Sequence, residues 1–267
     1  LEDSRQYNIN INKNNKIVCR ILQGSSWTVL NTMNPRSAET LFLDFDINTI
    51  YDNIQEFLDS EQEYNNHGKP FKLNYLLHGT PGSGKTSIIN TIASKFNMDI
   101  CFLVITKELE DYTFTRALTN IPSNSLLVIE DIDSLFSDRD SKYSLSFSTV
   151  LNVLDGALKK HKLITFLTTN YKKNIDQALF RSGRIDYQIE FGPIKKKQIK
   201  EMYDYFFKNQ NEHFPVLMEA LKSKKMCCAD FHHWCFQHRK SDNVLQYIDE
   251  LLENIKNESD CNEHMYI

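Results

Sequence analysis

A glycine-rich stretch, LLHGTPGSGKTS (76–87), carries residue types that hold phosphate groups. Its centre fits the pattern G-x-x-x-x-G-K-[ST], in which glycines let backbone N–H groups turn towards phosphate oxygens. Lys85 would neutralise the β- and γ-phosphates, and the Thr86 hydroxyl would bind Mg²⁺. An apolar run before the stretch and a helical pattern after it favour this interpretation over a plain glycine-rich turn. The predicted nucleotide-binding residues are Gly79, Thr80, Pro81, Gly82, Ser83, Gly84, Lys85, Thr86 and Ser87.

Two adjacent carboxylates end the apolar run in SLLVIEDID (125–133). Glu130 and Asp131 form this pair, and Asp133 follows. At the carboxyl edge of a parallel strand beside a phosphate loop, one such group can hold the Mg²⁺ shell while the other orients water. An acidic cap of the next helix is the alternative interpretation. The predicted metal-site residues are Thr86, Glu130 and Asp131.

An amide and two arginines complete the candidate catalytic groups. Asn170 follows the apolar run LITFLTT (163–169), where its amide could hydrogen-bond both an attacking water and a phosphate oxygen. Arg181 and Arg184 lie three residues apart in IDQALFRSGRID (175–186). Such arginines often form surface ion pairs of small energetic value, but in this company they indicate a clamp on a transferring phosphoryl group. The candidate catalytic residues are Lys85, Glu130, Asp131, Asn170, Arg181 and Arg184.

Five apolar runs would place these groups on one edge of a sheet. Helical patterns separate the first four runs, and a short helical turn with a loop joins the last two. Continuous apolar strands that alternate with helices predict a parallel sheet covered on both faces. The predicted fold class is therefore an α/β P-loop fold with a doubly wound, five-stranded parallel sheet. The runs are LNYLLHG (73–79), DICFLVIT (99–106), SLLVIED (125–131), LITFLTT (163–169) and YQIEFG (187–192).

The remaining patterns predict two flanking regions. Short β-type runs, KIVCRIL and SSWTVL, lie near the start of the chain, whereas amphipathic helical patterns fill residues 194–257. We therefore predict a β-type N-terminal region at 1–44, a large nucleotide-binding domain at 45–192 and a small helical lid domain at 193–267.

The composition of the 267 residues argues against several classes of protein. Hydrophobic residues make up 41% and charged residues 25%, as in ordinary globular domains. The net charge of −4 gives no general attraction for nucleic acid. The six cysteines lack the spacing of a disulfide framework. CCADFHHWCFQH (227–238) contains zinc-ligand types, but a straight helix would close a tetrahedron poorly, which disfavours zinc.

Taken together, these motifs resemble those of AAA ATPases, with Asn170 at the sensor-one position and both arginines in the second region of homology. Longer stretches, including YDNIQEFLDSEQEYNNHGKPFKLNYLLHGTPGSGKTS, LSFSTVLNVLDG and GSSWTVLNTMNPR, narrow the match. They resemble the mitochondrial AAA family of the Bcs-one type, which inserts the Rieske iron–sulfur protein during assembly of respiratory complex III. The resemblance covers residues 24–255, and the order Glu-Asp in the acidic pair is typical of this type.

The resemblance implies Mg²⁺-dependent ATP hydrolysis by a homo-oligomeric ring, heptameric or hexameric, that does conformational work on a protein client. It puts Glu130 at the Mg²⁺-shell position and Asp131 at the water-activating position, although these two roles could be exchanged. It also implies that Arg181, with Arg184, acts on the nucleotide of a neighbouring subunit. The inner mitochondrial membrane is the expected location if the full-length protein has the family's targeting and membrane segment, and a soluble intracellular location is expected otherwise.

The sequence departs from the family pattern at Thr80, Gln177 and Ser182, which replace usual prolines without removing a catalytic group, and in two larger features. The helical region has no clear sensor-two arginine, and residues 104–118 show no aromatic–apolar–glycine pore loop, so Tyr112 and Phe114 are interpreted as helix-entry or packing residues. Threading of unfolded chains is therefore not expected. Two alternatives stay open: a P-loop motor that acts on nucleic acid, and a nucleotide-binding assembly module with little hydrolysis.

Overall fold

The structure is a computed structural model that describes residues 16–137, 143–156, 162–222 and 224–255. Its internal contacts divide the chain into two units. The first unit comprises the residues up to Thr40, Ile47–Gly79 and Lys85–Glu190, and the second comprises Leu41–Asp46, Thr80–Gly84 and the residues from Phe191 onward. The division into domains at residues 44 and 192 stays a prediction.

A seven-stranded sheet forms the centre of the first unit. The strands lie in the order β2-β1-β4-β5-β6-β3-β7. The pairs β1–β4, β4–β5, β5–β6 and β6–β3 are parallel, and β1 pairs antiparallel with β2. The strands are β1 (Ile17–Gln23), β2 (Ser26–Met33), β3 (Lys72–Gly79), β4 (Asp99–Val104), β5 (Ser125–Glu130), β6 (Leu163–Thr169) and β7 (Tyr187–Phe191).

This sheet confirms the predicted α/β class, and each of the five predicted apolar runs forms one of its strands. The sheet has seven strands rather than five because β1 and β2 extend it beyond β4. The indole Nε1 of Trp27, on β2, donates a hydrogen bond of 2.9 Å to the Ala117 carbonyl. A half-buried indole needs such an acceptor, and the bond fastens the added hairpin to the helical layer.

Among the described residues of the first unit, six α-helices connect and cover the strands. They bury the central strands on both faces, so that residues 125–129 of β5 are all buried, as a parallel sheet between helical layers requires. Phe114 is completely buried, whereas Tyr112 is the second residue of its helix and 69% exposed, which matches the packing and helix-entry interpretations. The helices are α1 (Asn48–Asp59), α2 (Glu61–Asn66), α3 (Lys85–Phe96), α4 (Asp111–Thr119), α5 (Ser134–Ser137) and α6 (Phe147–Leu154).

The second unit is helical, in agreement with the pattern of residues 194–257. Its helices α7 (Lys196–Phe206), α8 (Phe214–Ala220), α9 (Cys228–Gln237) and a further helical segment, 248–255, enclose an aromatic core. Trp234 and Phe231 lie in this core with Cys235, one of the residues of zinc-ligand type.

A membrane-spanning helix needs about 20 apolar residues, and the described part of the chain contains no helix that meets this requirement.

Candidate active site

The glycine-rich loop leads from the end of β3 into α3. Gly82 and Gly84 have φ angles of 66° and 104°, which residues with a Cβ rarely adopt. A Cβ on Gly82 would also lie 2.8 Å from the Cys227 sulfur, so this position has no room for a side chain. Because α3 begins at Lys85, its first turn leaves N–H groups without helical acceptors, and such groups bind anions well.

The side chains of the loop divide between structural and exposed positions. Ser83 is buried, and its hydroxyl donates a hydrogen bond of 2.6 Å to the Thr80 carbonyl, which holds the loop in its curved form. Thr80, Pro81 and Thr86 are exposed, and Ser87 lies in the first turn of α3. In the first unit, the exposed Thr86 hydroxyl is therefore a group that can meet a ligand.

Lys85 is the cation of the site. Its ammonium donates hydrogen bonds of 2.8 Å to the Gly79 carbonyl and 2.8 Å to Oδ1 of Asn170. Burial lowers the pKa of Lys85, while the nearby carboxylates of Asp131 and Asp133 oppose that effect. The ammonium is thus held at the start of α3 by acceptors from the ends of β3 and β6.

Asn170 connects this cation to a carboxylate. Its amide nitrogen donates a hydrogen bond of 3.3 Å to Oδ1 of Asp131, while its amide oxygen accepts from Lys85. The two ends of the amide therefore face partners of the matching kind, a donor and an acceptor. The structure brings together Lys85, Asn170 and Asp131, three of the predicted catalytic residues, in one hydrogen-bonded chain.

Asp131 has an unusual backbone conformation. Its φ angle is 49°, in the left-handed region, which aspartate adopts more readily than most residues. Its amide N–H donates a hydrogen bond of 3.2 Å to the Thr168 hydroxyl on β6. Such conformations persist only where neighbouring contacts hold them, and they are frequent at functional sites. The sharp turn after β5 is what brings the Asp131 carboxylate to Asn170.

Glu130, the last residue of β5, faces Thr86. Burial raises the pKa of Glu130, the Asp131 carboxylate adds to that effect, and a hydrogen bond from the Thr86 hydroxyl opposes it. A carboxylate paired with a hydroxyl is an all-oxygen donor set, which Mg²⁺ prefers. Both residues therefore fit the metal that the fold family implies.

The two predicted arginines have different surroundings. Arg184 donates hydrogen bonds of 2.7 and 2.8 Å to the two carboxylate oxygens of Asp155, and one of 2.8 Å to the Ala178 carbonyl. The bonds between Arg184 and Asp155 raise the pKa of Arg184 and lower that of Asp155. Arg181 is exposed. Within the first unit, neither arginine is joined to the chain from Lys85 to Asp131.

Three polar groups of the site were missed by the sequence analysis, namely His78, Lys172 and Thr169. His78, the last buried side chain before the glycine-rich loop, has its Nε2 3.2 Å from the Lys172 ammonium. Burial lowers the pKa of His78, and the charge of Lys172 lowers it further, so the ring is neutral at pH 7 and can accept this bond. Thr169 hydrogen-bonds to Asp133. His78 and Thr169 could have been noticed in the sequence, because each is a polar residue inside an otherwise apolar strand.

The fold, with its glycine-rich loop between β3 and α3, is that of the P-loop NTPase class. A family model described as "ATPase family associated with various cellular activities (AAA)" matches residues 75–193, from β3 to the end of β7. Residues 75–193 are thus assigned to the AAA family, and the chain is similar to chaperones of the BCS1 type.

Three curated relatives support this assignment. "Probable mitochondrial chaperone BCS1-A" of Dictyostelium discoideum is 38% identical over 190 residues, or 65% of this chain and 45% of the relative. "Probable mitochondrial chaperone bcs1" of Schizosaccharomyces pombe is 36% identical over 213 residues, or 77% and 47%. "Mitochondrial chaperone BCS1" of Homo sapiens is 36% identical over 168 residues, or 59% and 40%. The chain thus spans less than half the length of these relatives.

Proposed function

We propose that this chain binds ATP with Mg²⁺, hydrolyses it at the site around Lys85, and uses the energy for conformational work on a protein client. The observation that carries the proposal is the hydrogen-bonded chain from Lys85 through Asn170 to Asp131. A site that only bound nucleotide would need the Lys85 ammonium and the glycine-rich loop, but not the Asp131 carboxylate. A carboxylate linked to the cation by an amide is instead suited to holding a water molecule beside a γ-phosphate.

In this scheme each residue has one task. Lys85 transfers its hydrogen bonds from Gly79 and Asn170 to phosphate oxygens and neutralises their charge. Asn170, released from Lys85, keeps its bond to Asp131 and orients the attacking water. The Asp131 carboxylate accepts the proton of that water.

The two carboxylates have separate partners, which supports separate roles. Glu130 is bonded to Thr86, whereas Asp131 is bonded to Asn170. We therefore assign Thr86 and Glu130 to direct binding of Mg²⁺, with Asp131 at the edge of its shell. Bound Mg²⁺ would supply charge neutralisation on the phosphates.

The proposal includes a homo-oligomeric ring, heptameric or hexameric. Arg181 is exposed, which leaves it available to the nucleotide of a neighbouring copy in a ring, where it would stabilise the charge of the transition state. The relatives are named mitochondrial chaperones, which supports a protein client for the whole protein. The motif resemblance extends the proposal to a client of the Rieske type in a mitochondrial setting. No basic surface stripe is needed for such a client.

The first test is Asp131→Asn, with Glu130→Gln as its matched comparison. We expect Asp131→Asn to bind a fluorescent ATP analogue like the wild type and to lose about 100-fold or more in turnover. Glu130→Gln should instead raise the Mg²⁺ concentration needed for half-maximal binding. Wild-type turnover in Asp131→Asn would contradict the assigned role of that carboxylate.

The second test is ATP turnover per subunit over a wide range of protein concentration, with a sizing measurement on the same samples. A steep rise that follows ring formation would support a site completed by a neighbour. Turnover near zero at every concentration, with nucleotide still bound, would favour an assembly module instead. Stimulation by DNA or RNA would favour the nucleic-acid motor.

A further inference from the structure

A third carboxylate of the acidic segment, Asp133, faces into the protein. It is 7% exposed, and one of its oxygens accepts a hydrogen bond of 2.6 Å from the Thr169 hydroxyl. Thr169 is completely buried at the last position of β6. A hydroxyl bond of this length to a carboxylate is of the strong, charge-assisted kind. Burial of a carboxylate is costly unless it is bonded, so this contact compensates for part of that cost.

The same hydroxyl also holds the next turn of the backbone. The amide N–H of Tyr171 donates a hydrogen bond of 2.9 Å to Oγ1 of Thr169. A hydroxyl has a single donor, and since Asp133 takes it, the oxygen lone pairs are directed towards the Tyr171 amide. The residue between these two anchored positions is Asn170. Its main chain is therefore held on both sides by a network that ends at Asp133.

We propose that Asp133 is a positioning residue that acts through Thr169 to set the main chain of Asn170. The inference rests on the function proposed above, in which Asn170 orients the attacking water. Asp133 would not touch the nucleotide itself.

The demands on the Asn170 amide explain why its main chain must be set. Its oxygen is 2.8 Å from the Lys85 ammonium, and its nitrogen is 3.3 Å from the Asp131 carboxylate. When Lys85 turns to the phosphates, the bond to Asp131 is the contact that keeps the amide in place, and at 3.3 Å a small rotation of the backbone at this residue would lengthen it beyond bonding distance. Misplacement of a catalytic group by about 1 Å can cost about 100-fold in rate.

The preceding residue anchors the other side of the site. The hydroxyl oxygen of Thr168 accepts a hydrogen bond of 3.2 Å from the amide N–H of Asp131. The carbonyl of Thr168 accepts one of 3.0 Å from the amide N–H of Ile132. Thr168 and Thr169 thus bind three consecutive residues of the turn after β5. The bond from the Asp131 amide to Thr168 fixes the position of Asp131. The bond of Thr169 to Asp133 fixes the position of Asn170 relative to Asp131.

The test compares Thr169→Val, which removes the hydroxyl at nearly constant shape, with Thr169→Ser, which keeps it. We expect Thr169→Val to lower kcat about 10- to 100-fold with the KM for ATP changed less than about threefold. Thr169→Ser should recover most of the loss. Thr165→Val is the matched control, because Thr165 is buried on the same strand four residues before Thr169, towards the start of β6.

A double-variant cycle with Asn170→Ala distinguishes positioning from a general loss of stability. If Thr169 acts through Asn170, adding Thr169→Val to Asn170→Ala should lower kcat by less than about twofold further. Asp133→Ala should show the same dependence on Asn170, and it serves as the second variant if Thr169→Val does not fold. If Thr169→Val and Asp133→Ala lowered kcat in the Asn170→Ala background by the same factor as in the wild type, the inference would be overturned.

The outcomes separate this inference from the proposed function. An inactive Asn170→Ala beside a Thr169→Val of wild-type kcat would overturn the inference alone. An Asn170→Ala with wild-type turnover would overturn the proposed role of Asn170 and the inference with it. If Asp133 instead bound Mg²⁺ directly, Asp133→Ala would raise the Mg²⁺ requirement while Thr169→Val would not, and that result also would overturn the inference.

Discussion

Arg184 and Asp155 form a two-point ion pair, with 2.7 Å between Nε and Oδ1 and 2.8 Å between Nη2 and Oδ2. A third bond, from Nη1 of Arg184 to the Ala178 carbonyl, ties the guanidinium to the turn that carries Arg181. Arg181 itself is exposed. The pair therefore shapes the turn, and this favours Arg181 over Arg184 as the arginine that acts on a neighbouring subunit.

Arg181→Ala should abolish turnover in a way that a second inactive variant can repair. We expect a loss of about 10³-fold or more in kcat, because the arginine would stabilise the transition state. Mixed with Asp131→Asn subunits, which retain Arg181, the Arg181→Ala subunits should regain activity, since their own carboxylates are intact. Turnover measured over a range of mixing ratios checks this. No recovery in rings shown to be mixed would contradict action between subunits.

Arg184→Ala should lower stability, unlike Arg181→Ala. Loss of the partly exposed pair with Asp155 is expected to reduce the free energy of unfolding by about 1 kcal/mol. Arg184→Lys should recover little of it, because a lysine ammonium cannot make the two-point contact. Urea unfolding of the three variants measures the difference. Equal stability of Arg184→Ala and Arg181→Ala would show that the pair does not hold the turn.

The carboxylate of Asp111 should make stability depend on acid pH. It accepts bonds of 2.6 Å from the Ser146 amide and 2.8 Å from the Ser146 hydroxyl. Burial raises the pKa of Asp111, but these bonds and one from Thr149 outweigh it, so the pKa is lowered on folding. A lowered folded-state pKa stabilises the protein above the unfolded value, about 4, and the contribution is lost as the pH falls through the folded value.

Asp111→Asn should accordingly be less stable than the wild type at pH 7, and the difference should shrink below about pH 4. Urea unfolding at a series of pH values measures this dependence. Asp52→Asn, at an exposed position of α1, is the control and should leave the curve unchanged. A constant gap between wild type and Asp111→Asn at every pH would contradict the predicted linkage.

Gly82→Ala should cost more than Gly24→Ala, although both glycines have similar backbone angles. The φ angles are 66° and 58°, so each substitution carries about 1–2 kcal/mol of backbone strain. A Cβ at Gly24 has nothing within 4 Å, whereas one at Gly82 lies 2.8 Å from the Cys227 sulfur. Thermal unfolding compares the two, and a nucleotide-binding assay should show weaker binding only for Gly82→Ala. Equal losses of thermal stability in the two variants would mean that the Cys227 side chain moves away from the new Cβ without cost.

The sequence alone predicted the strands and the residues that follow them at the candidate site, because both depend on local order. Strands that are buried on both faces read as continuous apolar runs, and such runs coincide with β3 to β6, whereas β7 was predicted although most of its residues are exposed. The carboxyl ends of parallel strands meet at one edge of a sheet, so the residues that follow them, such as Asp131 and Asn170, could be expected to lie together. The glycine-rich loop was recognisable because its pattern and its strand–helix context are contiguous in the chain.

Only the tertiary structure decided which partner each polar group has. Asp131 and Asp133 look alike in sequence, yet one is exposed beside Asn170 and the other is buried against Thr169. Arg184 likewise differs from Arg181 through its bond to Asp155, 29 residues away in the chain. The hairpin of β1 and β2 joined the main sheet for the same kind of reason, an edge pairing with β4. Such bonds depend on distances of a few tenths of an ångström between distant segments, and local patterns carry no information about those distances.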